Sequence, residues 1–132
     1  MLRPAVFVLG LVLAMLMVAC GPGNANAPSA PNPRTVVPSG NAIKGKELFA
    51  QTCVACHGAD AKGLPNLGKN LTTSAFVKSK NDRELVKFLN TGRPVGDPLN
   101  TTGVAMPPKG GNTKLTDTDL ADIAAFLHSL QE

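Results

Sequence analysis

The chain has 132 residues, 43% of them hydrophobic, and this size allows one small domain without a second core. Thirteen Lys and Arg against nine Asp and Glu give a formal net charge of +4. This small excess is not gathered into the basic clusters typical of nucleic-acid-binding proteins, so no nucleic-acid partner is expected.

Residues 1–20 predict an export signal. An apolar run at residues 5–20 follows one positive charge, Arg3, and is shorter than the about 20 residues that comfortably span a bilayer. Its end, LMVACG at residues 16–21, resembles the lipobox of bacterial lipoproteins, which implies that Cys20 is lipidated and becomes the first residue. Ordinary cleavage with an unused Cys20, or retention of the run as an anchor, are the alternatives.

The next segment, residues 21–40, is rich in Gly, Pro, Asn and Ala and has no apolar periodicity. We interpret it as a tether, and we expect the folded domain at residues 41–132. A lipid on Cys20 would hold that domain at the outer face of the cytoplasmic membrane or in the periplasm.

Apolar residues at helical spacing predict three helices in the domain. The first begins near Asn41 and runs into the motif that starts at residue 53. The second and third span about Asp82–Thr91 and Asp117–Leu130. Asn81 and Thr116 are predicted N-caps, because each is followed three residues later by an acidic residue. The segments 58–71 and 93–113 are Gly/Pro-rich and show no strand pattern, so an all-α fold with long loops is predicted.

The motif CVACH at residues 53–57 gives the strongest indication of chemistry. In Cys-x-x-Cys-His, two thiols form thioethers with the vinyl groups of haem and the adjacent histidine reaches the iron. A redox dithiol would need a βαβ context, and a zinc site would need further ligands, whereas the chain has only one other histidine, His128. The motif therefore favours one covalent haem c, attached through Cys53 and Cys56 with His57 on the iron.

The order of features over residues 41–131 resembles a class I cytochrome c domain. The features are Gly45 and Phe49 in the first helix, CVACHG, LPNL at residues 64–67, a middle helix, Met106-Pro107-Pro108, and Phe126 in the last helix. The resemblance implies that the first and last helices cross at Gly45, with Phe49 and Phe126 packed at the crossing. It also implies that the carbonyl of Pro65 accepts the free ring N–H of His57.

Met106 is the candidate for the sixth iron ligand. It is the only methionine outside the predicted signal at residues 1–20, and Pro107 favours an extended backbone that could hold a thioether over the iron. The alternatives are a methionine that fills a gap in the core, and His128 as the ligand. We interpret His128 as a cation at the end of the last helix.

The resemblance implies an electron carrier without substrate chemistry, since two filled axial positions leave no vacancy for oxygen or peroxide. The expected partners are redox proteins of a respiratory or photosynthetic chain, met either freely or within a membrane oxidoreductase complex. A haem enzyme and a gas sensor are the rival functions. Four lysines are candidate partner contacts or simply solubilising charges: Lys62, Lys69, Lys109 and Lys114.

Overall fold

A computed structural model describes residues 39–131, so the predicted signal, Cys20 and most of the predicted tether lie outside the described residues. The helices are α1 (Ala42–Thr52), α2 (Val54–His57), α3 (Ala75–Lys78), α4 (Asp82–Thr91) and α5 (Asp117–Ser129), with a 3-10 turn at Pro108–Gly111. Within this part of the chain the sole β-type pairing is one bridge between Arg93 and Met106. The all-α prediction is confirmed. None of the described helices has the length and apolar character needed to cross a membrane.

The helix starts follow the predicted caps. The side chain of Asn41 accepts hydrogen bonds from the first amides of α1. Asn81 and Glu84 cap α4 reciprocally, and Thr116 and Asp119 do the same for α5. Each box satisfies amide donors that a helix end otherwise leaves unpaired. The short helices α2 and α3 and the 3-10 turn were not predicted, because none is long enough to show an apolar period.

Helices α1 and α5 cross in close contact, as the resemblance to class I cytochromes c implied. A Cβ atom built on Gly45 would overlap the carbonyl group of Asp122, so only glycine permits this approach. The rings of Phe49 and Phe126 meet beside it with centroids 5.3 Å apart. The most deeply buried large side chains, Leu85, Leu120 and Ile123, come from α4 and α5.

An ionic contact spans the same crossing. The buried carboxylate of Asp122 accepts the backbone N–H of Asn41 at 2.7 Å and lies 3.3 Å from the ammonium of Lys44. The Lys44 ammonium is also 3.0 Å from Asp119. Hydrogen bonds from Thr116 and then Lys44 lower the pKa of Asp119 to about 2. Both helix starts are therefore tied to one another.

His128 connects α5 to the start of α4. Its Nδ1 lies 2.8 Å from the carboxylate of Asp82 and its Nε2 lies 3.1 Å from the carbonyl oxygen of Lys80. Both ring nitrogens thus have a partner at or just before the start of α4.

Candidate functional site

A cavity of about 440 Å³ lies beside the helix crossing, within the size range of cofactor sites. Its lining includes Cys53, Cys56, His57 and Met106, so the two motif cysteines and both predicted iron ligands meet at one place. Most of the remaining lining is apolar and comes from α1, α4, α5 and the loops between them. Neither Pro65 nor His128 is among the lining residues.

One tight turn places the motif side chains on this cavity. Cys53 ends α1, and the amides of Cys56 and His57 both donate to its carbonyl, at 3.2 and 3.0 Å. Burial, and secondarily the charge of Cys56, raises the pKa of the Cys53 thiol to about 11. Because exchange chemistry needs a thiolate, this environment does not suit a redox dithiol.

The orientation of His57 corrects one prediction. Its Nδ1 lies 2.9 Å from the carbonyl oxygen of Lys69, so Lys69, and not Pro65, provides the acceptor. A carbonyl can only accept, so Nδ1 donates in this contact. Nε2 is therefore the ring nitrogen that is left to coordinate a metal.

Gly68 explains why Lys69 takes this position. A Cβ atom on Gly68 would overlap the carbonyl group of Cys56, so the loop runs directly against the motif turn. The sequence contains two similar segments in a row, LPNL at residues 64–67 and GKNL at residues 68–71. The glycine of the second segment was the signal that could have identified Lys69 as the residue whose carbonyl accepts from His57.

Met106 is held by a pair of backbone hydrogen bonds. Its N–H donates to the carbonyl of Arg93 at 2.9 Å, and the N–H of Arg93 donates back at 2.8 Å. Gly92 precedes this bridge with a φ of +68°, and a Cβ atom there would overlap the Met106 carbonyl. The bridge therefore fixes the start and the end of the loop 93–106.

Asn100 organises the interior of that loop and was missed by sequence reasoning. Its amide donates to the carbonyls of Pro94 and Val104, at 3.1 and 2.9 Å. Its side-chain oxygen accepts from the amides of Thr102 and Gly103, at 3.2 and 3.1 Å. An asparagine within a Gly/Thr-rich segment indicates a turn, but its partners on both sides of the loop cannot be read from that pattern.

These residues fit a covalent haem. Two thiols on one turn, an imidazole and a thioether share one largely apolar cavity. Thioether and imidazole are a known axial pair for haem iron in cytochromes c. Across residues 39–131, no group of three or more His, Cys, Asp or Glu side chains is placed to hold a metal ion.

Comparisons with known proteins agree with this geometry. The family model for cytochrome c matches residues 42–131. Among similar curated proteins, the cbb3-type cytochrome c oxidase subunit FixP of Bradyrhizobium sp. (strain ORS 278) is 35% identical over 91 residues, which cover 68% of this chain and 28% of that protein. The subunit FixPc of Rhizobium leguminosarum bv. viciae is 34% identical over 109 residues, or 82% of this chain and 31% of that protein.

The subunit CcoP of Rhodobacter capsulatus is 30% identical over 95 residues, or 67% of this chain and 29% of that protein. The chain thus spans less than a third of the length of these relatives. No solved structure matches it. The matched residues include all five helices and the whole cavity lining. The chain belongs to the cytochrome c family, whose members carry covalently bound haem c.

Proposed function

We propose that the domain transfers single electrons through one haem c bound in this cavity. Cys53 and Cys56 would hold the haem as thioethers, and His57 and Met106 would be its axial ligands. The observation that carries the proposal is that His57 and Met106 line the same cavity, although His57 lies in α2 and Met106 at the end of the loop 93–106. Haem iron with these two ligands changes oxidation state at a raised potential without binding oxygen.

The residues of the chain prepare both ligands. The Lys69 carbonyl accepts the His57 ring proton at 2.9 Å, which fixes the ring and increases the donor strength of Nε2. The two hydrogen bonds between Arg93 and Met106 hold the thioether side of the cavity. The largely apolar lining would limit the access of water to a bound haem. With His57 and Met106 as its two axial ligands, the iron would keep no open coordination position, which an enzyme or a gas sensor needs, so we propose that the domain is not itself an enzyme.

The long-wavelength absorption band of a methionine-to-ferric-iron bond tests this assignment. We expect the band in the oxidised wild type and its loss in Met106→Ala, with the haem still attached in a denaturing gel. Pro65→Ala is the control and should keep the band, because Pro65 does not line the cavity. Absence of the band in the wild type, or its survival in Met106→Ala, contradicts the proposal.

We also propose that residues 1–20 are a lipoprotein signal, that Cys20 carries the lipid, and that residues 21–40 tether the cytochrome at the outer membrane face or in the periplasm. The lipobox-like LMVACG segment supports this proposal. Cys20→Ser should release the holoprotein from membranes, and mass spectrometry of the wild-type N-terminus should show an acylated cysteine. A wild-type chain that keeps residues 1–19 would contradict lipidation and indicate an uncleaved anchor.

The relatives suggest a class of partner. Because they are subunits of cbb3-type cytochrome c oxidases, we propose that this domain delivers electrons to a membrane-bound terminal oxidase, as a carrier or as a subunit. Among the four candidate contact lysines, Lys62, Lys69 and Lys114 are exposed and Lys109 is half-buried. The ammonium groups of Lys69 and Lys109 donate to carbonyls of the chain at 2.9 and 2.7 Å. Rapid oxidation of the reduced protein by oxidase-containing membranes would support the proposal, and its absence would contradict it.

A further inference from the structure

Two phenylalanines form an aromatic pair on the cavity wall. Phe76 of α3 and Phe88 of α4 meet edge to face, with ring centroids 4.7 Å apart. Each is next in sequence to a buried side chain, Val77 at 3% exposure and Leu89 at 5%. Because these neighbours anchor the backbone of both helices in the core, the two rings form a fixed surface.

The guanidinium of Arg93 rests on both rings. Its central carbon lies 4.6 Å from the centroid of Phe76 and 5.0 Å from that of Phe88, distances at which cation–π attraction acts. The side chain of Arg93 is 12% exposed, and the loss of water strengthens such contacts. Its Nη1 also donates to the carbonyl oxygen of Leu99 at 3.1 Å.

The carboxylate of Asp97 balances the charge of Arg93 without fixing its position. Asp97 Oδ2 lies 3.8 Å from Arg93 Nε, too far for a hydrogen bond, and this buried Nε has no hydrogen-bond partner among the described residues. The other carboxylate oxygen of Asp97 accepts the backbone N–H of Leu99 at 2.7 Å. The two rings and the Leu99 carbonyl are therefore the contacts that orient the guanidinium.

The backbone of the same arginine holds Met106. The N–H of Arg93 donates to the Met106 carbonyl at 2.8 Å, and the N–H of Met106 donates to the Arg93 carbonyl at 2.9 Å. A displacement of Arg93 is therefore passed directly to Met106. The loop 93–106 has no buried residue of its own, so its placement depends on contacts of this kind with the packed helices.

We propose that Arg93 is a positioning residue for the sixth iron ligand, and that its contacts with Phe76 and Phe88 hold Met106 over the iron. The inference rests on the proposed function, because Met106 is an iron ligand only in that function. A planar guanidinium can stack on aromatic faces, whereas the ammonium of lysine is a compact point charge. Arginine thus suits a position between two rings better than lysine does.

Displacement of Met106 by added imidazole tests the proposal in the full-length, oxidised holoprotein. Loss of the methionine-to-iron band reports the displacement. Arg93→Met keeps a long side chain but removes the charge and the planar group. The imidazole concentration that displaces half of Met106 should fall about tenfold in this variant, as expected for the loss of desolvated cation–π contacts. Arg93→Lys, which keeps the cation alone, should recover part of the difference.

Two control variants separate this effect from charge and from stability. Asp97→Asn removes the carboxylate charge beside Arg93 but keeps an oxygen that can accept from Leu99. It should release Met106 at the wild-type imidazole concentration. Leu120→Ala removes a buried side chain outside the cavity lining, so it should lower the free energy of unfolding without changing that concentration.

A double-mutant cycle shows whether the rings carry the effect. Phe76→Leu removes one aromatic face and keeps an apolar side chain on the cavity wall. In the Phe76→Leu background, Arg93→Met should lower the imidazole concentration only about threefold, because part of the contact is already absent. Phe88 then accounts for the remaining effect.

An Arg93→Met protein that releases Met106 at the wild-type imidazole concentration overturns the proposal. An effect of Asp97→Asn as large as that of Arg93→Met does so too, because the ion pair would then be the positioning contact. Additive effects of Arg93→Met and Phe76→Leu have the same meaning. If Arg93→Met does not fold, Arg93→Lys and Phe76→Leu replace it, and an unchanged imidazole concentration in both overturns the proposal. Failure of the proposed function is seen separately, as a missing methionine-to-iron band in the wild type.

Discussion

The helix crossing of α1 with α5 and the loop 93–106 use different interactions to shape the same cavity. The crossing buries apolar side chains such as Phe49 and Leu120. The contact of Gly45 with the Asp122 carbonyl leaves no space for a Cβ atom. In the loop no residue is buried, and Val95 and Leu99 are 58% and 55% exposed. Hydrogen bonds of Asn100 and the Arg93–Met106 bridge hold it instead. Changes at the crossing should therefore alter mainly the free energy of unfolding, and changes in the loop should alter mainly the placement of Met106 as the sixth ligand.

The largest expected effect tests the crossing through Leu120. Its side chain is 1% exposed and does not line the cavity, so Leu120→Ala leaves a void without touching the haem site. We expect the free energy of unfolding to fall by about 2–5 kcal/mol, measured by denaturant titration of the holoprotein. The methionine-to-iron band should be unchanged in the folded variant.

The matched control for Leu120 is Ile43→Ala in α1, where the side chain is 78% exposed. Its effect should stay within about 0.5 kcal/mol. Equal losses in the two variants would show that the crossing is not the main apolar contribution.

A smaller effect is expected at Gly45. Gly45→Ala should lower the free energy of unfolding by about 1–3 kcal/mol, because the added methyl group would overlap the Asp122 carbonyl and separate the helices. Gly96→Ala is the comparison, since nothing lies within 4 Å of a Cβ atom at that position. A Gly45→Ala protein as stable as Gly96→Ala would mean that the two helices can move apart freely.

The loop is tested by Asn100→Ala. We expect a loss of only about 1 kcal/mol in stability, because the released groups are partly exposed and can contact water. The methionine-to-iron band should weaken, and added imidazole should displace Met106 at a lower concentration than in the wild type. Thr101→Ala, an exposed position in the same loop, is the control. Full retention of the band in Asn100→Ala would show that the hydrogen bonds of Asn100 are not needed to place Met106.

The smallest effect concerns the partly exposed carboxylate of Asp119. Its pKa is lowered from 3.8 to about 2 by Thr116 and Lys44, so its contribution is present above pH 3.8 and is lost as the pH falls toward 2. Asp119→Asn should lower stability by no more than about 1 kcal/mol at pH 7. This difference from the wild type should shrink between pH 4 and pH 2 in thermal unfolding. A constant difference would exclude the ionised carboxylate as its cause.

The accuracy of the sequence predictions differs between helix α4 and the loop that follows the haem motif, for a physical reason. Helix α4 has the predicted bounds, Asp82–Thr91, because an N-cap and an apolar period act within a few residues of one another. Pro65 was assigned wrongly because two neighbouring segments carry the same Asn-Leu pair. The contact of Gly68 with Cys56 decides between them, and no local rule contains that contact.

By itself the sequence determined the haem motif, the three long helices and the presence of one methionine in a proline-rich loop. Each depends on residues close together in the chain, where spacing and backbone preference are sufficient. Only the tertiary structure placed Lys69 beside His57 and brought the side chains of Lys69 and Arg93 to the carbonyl of Leu99. Lys69 and Leu99 are 30 residues apart, and such an approach depends on how the packed helices position the loops between them.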